Sequence, residues 1–447
     1  MDKEYLLHER PLRALLVFAF PILIGNLFQQ FYTMADSVIV GRFVSENALA
    51  AVGASYSLTN VFISVALGGG MGAAVITSQT FGQRDYRRMK RSIATALLSF
   101  LVLSLVLSAF GLVFCRQIMD LLQTPSNILD DATAYLQIYF LGLPFLFMYN
   151  VLSAMFNALG RSKIPLGLLI FSSVLNILLD LYMVCVLGLG VTGVAWATLL
   201  AQGVSALASF VIFLRTIRNY AIPHPYRFDL SELRQMVRIA LPTILQQSTV
   251  SIGMMLVQSV VNRFGAEVLA GYSAAVRIEN ICFVPMVAMG NAIASYTAQN
   301  LGANQIDRIR QGYRLSYRVI ACFAVILCVI LQVAYRPLIT LFLGEDGTPA
   351  ALQTGMDYTW FISWFFVLLG CKMITDGVLR GAGDMPVFTL ANLVNLGLRV
   401  LIAVCLAPRF GVALVWYAVP IGWLANYLIS LAEYRTGKWK TILKKTA

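Results

Sequence analysis

The sequence predicts an all-α integral membrane protein in which twelve transmembrane helices form two pseudo-symmetric lobes of six. Composition is the first observation, because 59% of the 447 residues are hydrophobic and 12% are charged, with a mean hydropathy of +0.77. Soluble globular domains are far less apolar. The second observation is a series of apolar stretches of about 20 residues, the length that crosses a bilayer as a helix. The third is an internal repeat that gives each half of the chain six such stretches.

The apolar stretches can cross the bilayer as helices because a helix satisfies its own backbone hydrogen bonds. They start near Ala14, Ala51, Ile93, Thr133, Ile164, Val191, Met236, Gly271, Val319, Tyr358, Pro386 and Val412. The longest hydrophilic segment lies between the sixth and the seventh. We therefore expect a first lobe over residues 1–218, a cytoplasmic linker over 219–235 and a second lobe over 236–447. Asp229 or Ser231 is expected to cap the seventh helix.

The repeat is visible as identical residues 220 or 221 positions apart. Such pairs include Pro21 and Pro242, Arg42 and Arg263, Gln79 and Gln299, Arg88 and Arg308, and Gly160 and Gly381. Because each half has an even number of helices, both halves enter the membrane from the same side. They should therefore be related by an axis along the membrane normal, an arrangement typical of secondary transporters.

The net charge of +12 is explained by topology and does not require a nucleic-acid partner. With a cytoplasmic N-terminus, 25 Lys and Arg residues fall in inner segments and five fall in outer segments. The positive-inside rule then places both termini in the cytoplasm. We expect a multi-pass monomer in the cytoplasmic (inner) membrane, surrounded by lipid.

Motifs for other functions are missing or misplaced. No GxxxxGK[ST] phosphate-binding loop occurs, so direct use of ATP is not expected. The GxGxxG run at 188–193 joins two apolar helices instead of following a strand, which favours an interhelical turn. The only histidines, His8 and His224, lie in cytoplasmic segments, and the seven cysteines show no CxxC spacing. The sequence therefore predicts no enzyme activity, no cofactor and no metal other than Na⁺ as a coupling ion.

Two carboxylates, Asp36 and Asp180, are predicted inside membrane helices of the first lobe. A carboxylate at that depth is costly, so it usually faces a cavity and binds, pairs or relays something. Asn176 lies one turn from Asp180, while Asn150 and Thr198 lie on neighbouring helices. Such oxygens suit Na⁺, and a desolvated carboxylate can instead carry a proton. We expect these five residues to form a cation site; the alternative is that the carboxylates only hydrogen-bond helices together.

The second lobe lacks both carboxylates, because Val257 and Leu401 stand at the equivalent positions. The sequence therefore assigns the carboxylate chemistry to the first lobe alone. Arg277 and Glu279 lie near the predicted start of the eighth helix, so we expect them at the membrane interface.

The remaining polar residues of the second lobe are ambiguous. Lys372 and Asp376 are spaced to pair on one helix face, either as a structural pair or as part of the pathway. Amides, an aromatic residue and adaptable methionines of both lobes are candidates for a substrate cavity. They are Gln29, Tyr135, Met254, Gln258 and Met289.

The run PILIGN at 21–26, followed by Ala35-Asp36 and Gly41-Arg42, resembles the first helix of the multidrug and toxic compound extrusion (MATE) family. The resemblance covers essentially the whole chain and includes the Leu379-Arg380-Gly381 loop after the tenth helix. It implies the MATE fold and alternating access. It also implies export of small organic compounds, often cationic or amphipathic, in exchange for H⁺ or Na⁺.

The resemblance extends to a cation site of the family's DinF-like, bacterial branch. That site is matched, in order and spacing, by Asp36, Asn150, Asn176, Asp180 and Thr198, with Tyr135 as a further match. The NorM-like branch instead carries an acidic pair in its carboxy-terminal lobe. Here Val250 and a position near Leu369 align with that pair, so the resemblance implies coupling through the first lobe.

The runner-up hypothesis is a lipid-linked oligosaccharide flippase of the same superfamily. Such proteins commonly have extra helices and a basic cavity, whereas few cations are predicted within the membrane here. An intramembrane enzyme would need a catalytic constellation that the sequence lacks, and a two-lobe monomer does not suggest an ion channel. The sequence leaves open the substrate and the choice between Na⁺ and H⁺.

Overall fold

The computed structural model describes residues 4–122, 124–220, 228–343 and 347–442, apart from six side chains that include Val250. In this part of the chain the secondary structure is helical, without strands. The first half contains α1 (Tyr5–His8), α2 (Pro11–Phe43), α3 (Glu46–Gly82), α4 (Tyr86–Leu121), α5 (Leu129–Ala158), α6 (Lys163–Leu181) and α7 (Gly190–Arg218).

The second half repeats the order of the long helices, with a break in the tenth span and an additional short helix before the last one. It contains α8 (Leu230–Asn262), α9 (Ala266–Gly302), α10 (Ile306–Leu343), α11 (Pro349–Ser363), α12 (Phe366–Ala382), α13 (Met385–Leu401), α14 (Ala407–Phe410) and α15 (Ala413–Thr436). Five-residue π-helical turns follow α6 and α13, at Tyr182–Val186 and Ile402–Leu406. These turns lie 220 residues apart, so the repeat extends to this local irregularity.

Among the described residues, eleven helical segments are long and apolar enough to cross a membrane, and there are twelve if one bent pair counts as a single span. That pair is α11 and α12, whose axes differ by 55°. The prediction of twelve transmembrane helices is confirmed. The tenth was predicted as one span from near Tyr358, but it begins at Pro349 and breaks at Trp364 and Phe365.

The chain divides into two compact units. The first unit is Ile24–Ile244, and the second unit is Met1–Leu23 with Leu245–Ala447. Both boundaries fall inside helices, α2 and α8, just after the repeat partners Pro21 and Pro242. Proline removes an intrahelical hydrogen bond, so the chain leaves one unit for the other where the helix is weakened. These boundaries differ from those of the predicted lobes, and residues 221–227 of the predicted linker lie outside the described residues.

Small residues bring helices close together within the first unit. A Cβ atom added to Gly68 or Gly72 of α3 would lie 2.8 or 2.7 Å from the nearest atoms of Ile244 and Ala240 on α8. Such small-xxx-small spacing lets two helix backbones approach where lipid supplies no hydrophobic driving force.

The second unit uses the same device between α9 and α12. A Cβ atom on Gly377 would lie 2.5 Å from the carbonyl oxygen of Gly290, and one on Gly381 would meet the carbonyl oxygen of Ala294. Because the obstructing atoms belong to the backbone, no side-chain rotation can make room. Glycine is therefore required at positions 377 and 381 because the neighbouring helix is too close for a Cβ atom, and not because the backbone needs a special conformation.

We predict that Gly377→Ala destabilises the protein by about 1–3 kcal/mol, the usual cost of overpacking a closely packed site. Gly397→Ala is the matched control, because a Cβ at Gly397 meets nothing within 4 Å. That change should be neutral or slightly stabilising, since alanine favours helix by about 1 kcal/mol over glycine. Thermal unfolding in detergent would measure both variants, and equal melting temperatures would contradict this account of the packing.

The amino-terminal segment of the second unit is held by Arg308. Its Nη2 donates to the carbonyl oxygens of Leu6 (3.2 Å) and Glu9 (2.7 Å), and its Nε donates to Asn300 Oδ1 (3.0 Å). Asn300 Nδ2 also donates to the Leu6 carbonyl oxygen at 3.2 Å. These bonds satisfy carbonyl groups at the end of α1, a helix too short to be stable alone.

The start of α8 is capped by Asp229, one of the two residues predicted for this role. Its Oδ1 accepts hydrogen bonds from Ser231 Oγ (2.7 Å), Ser231 N (2.8 Å) and Glu232 N (3.4 Å). These bonds, those from Ser231 foremost, hold the pKa of Asp229 below its ordinary value. An aspartate here satisfies amide groups that the first helical turn leaves without partners.

Arg88, the repeat partner of Arg308, holds this start of α8 in the first unit. Arg88 Nε donates to Glu232 Oε1 at 2.7 Å, and Nη2 donates to Gln235 Oε1 at 2.8 Å. Ser92 Oγ donates to the other carboxylate oxygen of Glu232 at 2.9 Å. In both units, therefore, an equivalent arginine holds a segment that leads into a proline-containing helix.

We predict that Arg88→Met destabilises the protein by about 3 kcal/mol, because it removes the arginine that lies 2.7 Å from the Glu232 carboxylate, which is 2% exposed, and leaves only Arg91 at 3.9 Å. Adding Glu232→Gln should restore part of this loss. Arg116→Met is the control, since the side chains of Arg116 and its partner Asp130 are 62% and 83% exposed and this pair should contribute less than about 1 kcal/mol. Equal losses in the two arginine variants, measured as melting temperatures, would show that burial of Glu232 does not matter.

Candidate cation site

Asp36 and Asp180 come together in the first unit. Asp180 lies at the end of α6 with 0% of its surface exposed, directly before the π-helical turn, and Asp36 lies half-buried on α2. The two carboxyl groups interact directly. The Oδ1 atom of each is buried and receives no hydrogen bond from the described residues. Two ionised carboxylates repel each other, so one bound cation or shared proton would satisfy both oxygens.

Asn176 links the pair to α7. Its Nδ2 donates to Asp180 Oδ2 at 3.0 Å and to Tyr32 Oη at 3.1 Å. Its Oδ1 accepts from Thr198 Oγ1 at 3.3 Å and from the Thr198 backbone N at 3.1 Å. This amide orientation is the one that pairs donors with acceptors, since the opposite one would face Oδ1 toward the carboxylate. Asn176 therefore orients Asp180 and is itself fixed by Thr198.

Tyr32 was not identified from the sequence, although it lies one helical turn before Asp36. Tyr32 and Tyr135 both lie close enough to interact electrostatically with the two carboxyl groups. Tyr135 also lines a cavity of about 10 Å³ between α5 and α7, together with Thr198 and Gln202. That volume suits one water molecule and is too small for an organic substrate.

Asn150 is the predicted ligand for which the described residues show no bond to the carboxyl pair or to Asn176. Its Nδ2 donates to the Leu146 carbonyl oxygen in its own helix at 2.8 Å. The structure thus brings together Asp36, Asn176, Asp180 and Thr198. Asn150 stays a predicted ligand.

The predicted substrate-cavity residues fall in different environments. Gln29 is exposed in the first unit, and Met254 and Gln258 are exposed in the second. Met289 is 5% exposed and packs in the hydrophobic core of the second unit. Their part in a substrate cavity stays a prediction.

Comparison with known proteins identifies the family. The MatE family profile matches residues 21–182 and 242–405, one match in each half of the chain. The chain belongs to the MATE family. A probable multidrug resistance protein of Bacillus subtilis, YpnP, is 30% identical over 433 residues, or 96% of each chain. The FAD transporter of Shewanella oneidensis is 25% identical over 450 residues, or 97% of this chain and 96% of its own.

A solved structure of a MATE protein in the bent conformation shares the fold. Its TM-score is 0.91 at 22% sequence identity, and the match covers 100% of this chain and 99% of the other. The resemblance recognised in the sequence is thus confirmed. The protein is a multi-pass membrane transporter of the MATE family.

One residue of this MATE protein is buried in a way that the sequence did not indicate. Glu279 was expected at the membrane interface, because the eighth helix was predicted to start at Gly271. In the structure α9 starts at Ala266, and Glu279 is 8% exposed and packed inside the protein; its depth in the membrane stays a prediction. The second unit therefore also contains a buried carboxyl group.

Lys372 and Asp376 form a buried ion pair in the second unit. Lys372 Nζ lies 3.0 Å from Asp376 Oδ2, and the side chains are 5% and 6% exposed. Ser430 Oγ donates to Asp376 Oδ1 at 2.7 Å, and Lys372 Nζ donates to Asn392 Oδ1 at 3.4 Å. Gln246 Nε2 donates to the same oxygen of Asn392 at 3.1 Å. The predicted pairing of Lys372 with Asp376 is present, with its partners on α8, α13 and α15.

We predict that Asp376→Met destabilises the protein more than the double change Lys372→Met with Asp376→Met, because the single change strands a buried ammonium group. A double-mutant cycle on stability in detergent should give a coupling energy of about 1–3 kcal/mol. The exposed pair Glu9 and Arg13, also four residues apart, is the control and should couple by less than about 0.5 kcal/mol. Strict additivity at Lys372 and Asp376 would refute the interaction.

Proposed function

We propose that this MATE protein is a secondary antiporter that exports organic, often cationic, compounds across the cytoplasmic membrane in exchange for H⁺ or Na⁺. The observation that carries the proposal is the pair Asp36 and Asp180, whose Oδ1 atoms are buried without a hydrogen-bond donor. A carboxyl group left incomplete at membrane depth has a function more often than a structural role. The similarity to YpnP, a probable multidrug resistance protein, supports drug export.

The chemistry of the site suits either coupling ion. For Na⁺, the available oxygens come from Asp36, Asp180, Thr198 and Tyr32, with Asn150 as the predicted addition. For H⁺, one proton shared between the carboxyl groups removes their mutual repulsion. In both cases binding neutralises charge in the first unit. It can then favour one conformation over another by no more than its difference in affinity for the two.

The substrate class has two further candidates. The FAD transporter of S. oneidensis suggests a flavin nucleotide, which is an anion, as a compound to test. A lipid-linked oligosaccharide flippase would need cations free to bind a phosphate group. Lys372 is instead paired with Asp376, Arg380 donates to Asn291 Oδ1 at 2.7 Å, and Arg399 interacts electrostatically with Glu279. Export of organic cations, for which the first unit supplies carboxylates, is therefore favoured.

We predict that Asp180→Asn abolishes gradient-driven transport of a fluorescent organic cation while leaving expression and membrane insertion intact. Purified protein in liposomes, with an imposed Na⁺ gradient or pH gradient, would measure this and also distinguish the two ions. Adding FAD in place of the cation tests the flavin alternative. Asp130→Asn is the control, because Asp130 is an aspartate of the same unit with a side chain that is 83% exposed. Wild-type rates in Asp180→Asn would overturn the proposed site.

Ion titrations extend this test to the other site residues. Asp36→Asn and Asn176→Ala should change the midpoint or extent of the ion dependence, because each alters a group at the carboxyl pair. Leu401→Ile, at the exposed repeat counterpart of Asp180, should leave both unchanged. An unchanged midpoint and extent in Asp36→Asn would show that Asp36 takes no part in ion coupling.

A further inference from the structure

A buried carboxyl group lies deep in the second unit and plays no part in the site proposed above. Glu279 is 8% exposed, and Tyr358 Oη donates to its Oε2 at 2.6 Å. Tyr358 is 1% exposed and lies on α11, the first of the two helices that form the broken tenth span. This hydrogen bond therefore joins α9 to α11. The short distance is that of a hydrogen bond to a charged or strongly polarised oxygen.

Aromatic rings surround this bond. The Tyr358 ring makes edge contacts with Tyr272 and Trp416, at centroid distances of 5.4 and 5.7 Å. Tyr272 and Trp416 stack on each other at 6.4 Å. These rings exclude water from the Tyr358 side of the carboxyl group, and such surroundings favour the neutral form of a carboxylic acid.

One cation opposes this effect. Arg399 on α13 interacts electrostatically with Glu279, and its Nε has no hydrogen-bond partner among the described residues. The other titratable groups that interact with Glu279 are Tyr272 and Cys282 on its own helix and Tyr358 on α11. The aromatic surroundings and Arg399 therefore act on the Glu279 carboxyl group in opposite senses.

The remaining charged groups on α9 and on the helices packed against it are directed elsewhere. Arg277 of α9 is exposed, and the exposed Asp357 of α11 accepts a hydrogen bond from Gln353 Nε2 at 2.7 Å. On α12, Lys372 and Asp376 pair with each other, and Arg380 binds Asn291, three turns along α9 from Glu279. On α10, the stretch 319–335 contains no charged residue, and α1 carries only His8, which binds Glu4. Glu279 is thus held between two opposing effects and not fixed by an ion-pair network.

We propose that Glu279 is a proton-binding site of the second unit, so that transport responds to protonation in both units. The inference rests on the proposed antiport function. A proton from water adds to the Glu279 carboxylate, and release returns it to water; no other bond changes. Tyr358 keeps its own proton and changes from donor to acceptor. Protonation leaves Arg399 as an uncompensated cation, which changes the charge of this part of the second unit from neutral to positive.

The ligand set favours a proton over a metal cation. The described side chains offer the Glu279 carboxyl group and Tyr358 Oη, whereas hard cations take about six oxygen ligands. Arg399 would also repel a metal cation. The carboxyl pair of the first unit differs in both respects. More oxygen atoms surround it, and none of the described Lys or Arg side chains pairs with it.

The test is the pH dependence of transport of the same fluorescent organic cation by full-length protein in liposomes. Glu279→Gln keeps the shape and the bond to Tyr358 but cannot titrate. We expect it to fold and to transport, with the steepness of log rate against pH reduced by about one proton. Glu267→Gln is the matched control, an exposed glutamate in the first turn of the same helix, and should keep the wild-type profile.

Tyr358→Phe gives an independent readout if Glu279→Gln folds poorly. It retains the carboxyl group and removes only the hydroxyl that stabilises the ionised form, so the pH midpoint should rise by about one unit with the steepness unchanged. Wild-type profiles in both variants would overturn the inference while leaving the proposed function intact. Transport that persists in Asp180→Asn would instead count against the proposed function, whatever the profile of Glu279→Gln.

Discussion

The cost of placing polar and charged groups in an apolar bundle governs this structure. Water is not available at membrane depth, so each such group must find a partner inside the protein or remain poised to bind one. Asn176 meets this requirement fully, because its amide donates to Asp180 and Tyr32 and accepts from Thr198. The buried Oδ1 atoms of Asp36 and Asp180 do not meet it, because they receive no hydrogen bond from the described residues. The difference separates the residues that orient the site from those that are free to bind an ion.

Close packing is what makes these positions precise. Glycine pairs let α3 approach α8 in the first unit and α9 approach α12 in the second, with backbone atoms at the points of contact. The same α12 carries Lys372 and Asp376, so the spacing set by Gly377 also sets where this ion pair meets Ser430 of α15. A helix position held by backbone contact cannot adjust as one held by side chains does. Small residues therefore affect the ion pair indirectly, because they fix the position of the helix that carries it.

Much of the fold could be predicted from the sequence, because apolar length and the repeat are both explicit in it. The grouping of Asn176, Asp180 and Thr198 could also be predicted, since helical spacing places Asn176 beside Asp180. Helix boundaries could not be predicted as well. The eighth helix was predicted to start at Gly271 but starts at Ala266, and the burial of Glu279 inside the protein was not foreseen. Tyr32 was missed for another reason: a tyrosine on an apolar helix is unremarkable until its hydroxyl is seen to meet Asn176.

The repeat shows how the two units came to carry different chemistry on one framework. Asp36 and Asp180 correspond to Val257 and Leu401, so the first unit alone has the carboxyl pair. Glu279 corresponds to Thr59, 220 residues earlier, and there Tyr139 of α5 donates to the Thr59 carbonyl oxygen at 3.2 Å. A tyrosine thus joins equivalent helices in both units, but only in the second does it meet an acid. Since the tyrosine contact exists without the carboxyl group in the first unit, holding these helices together does not require Glu279, and its retention in an apolar core calls for a role beyond packing.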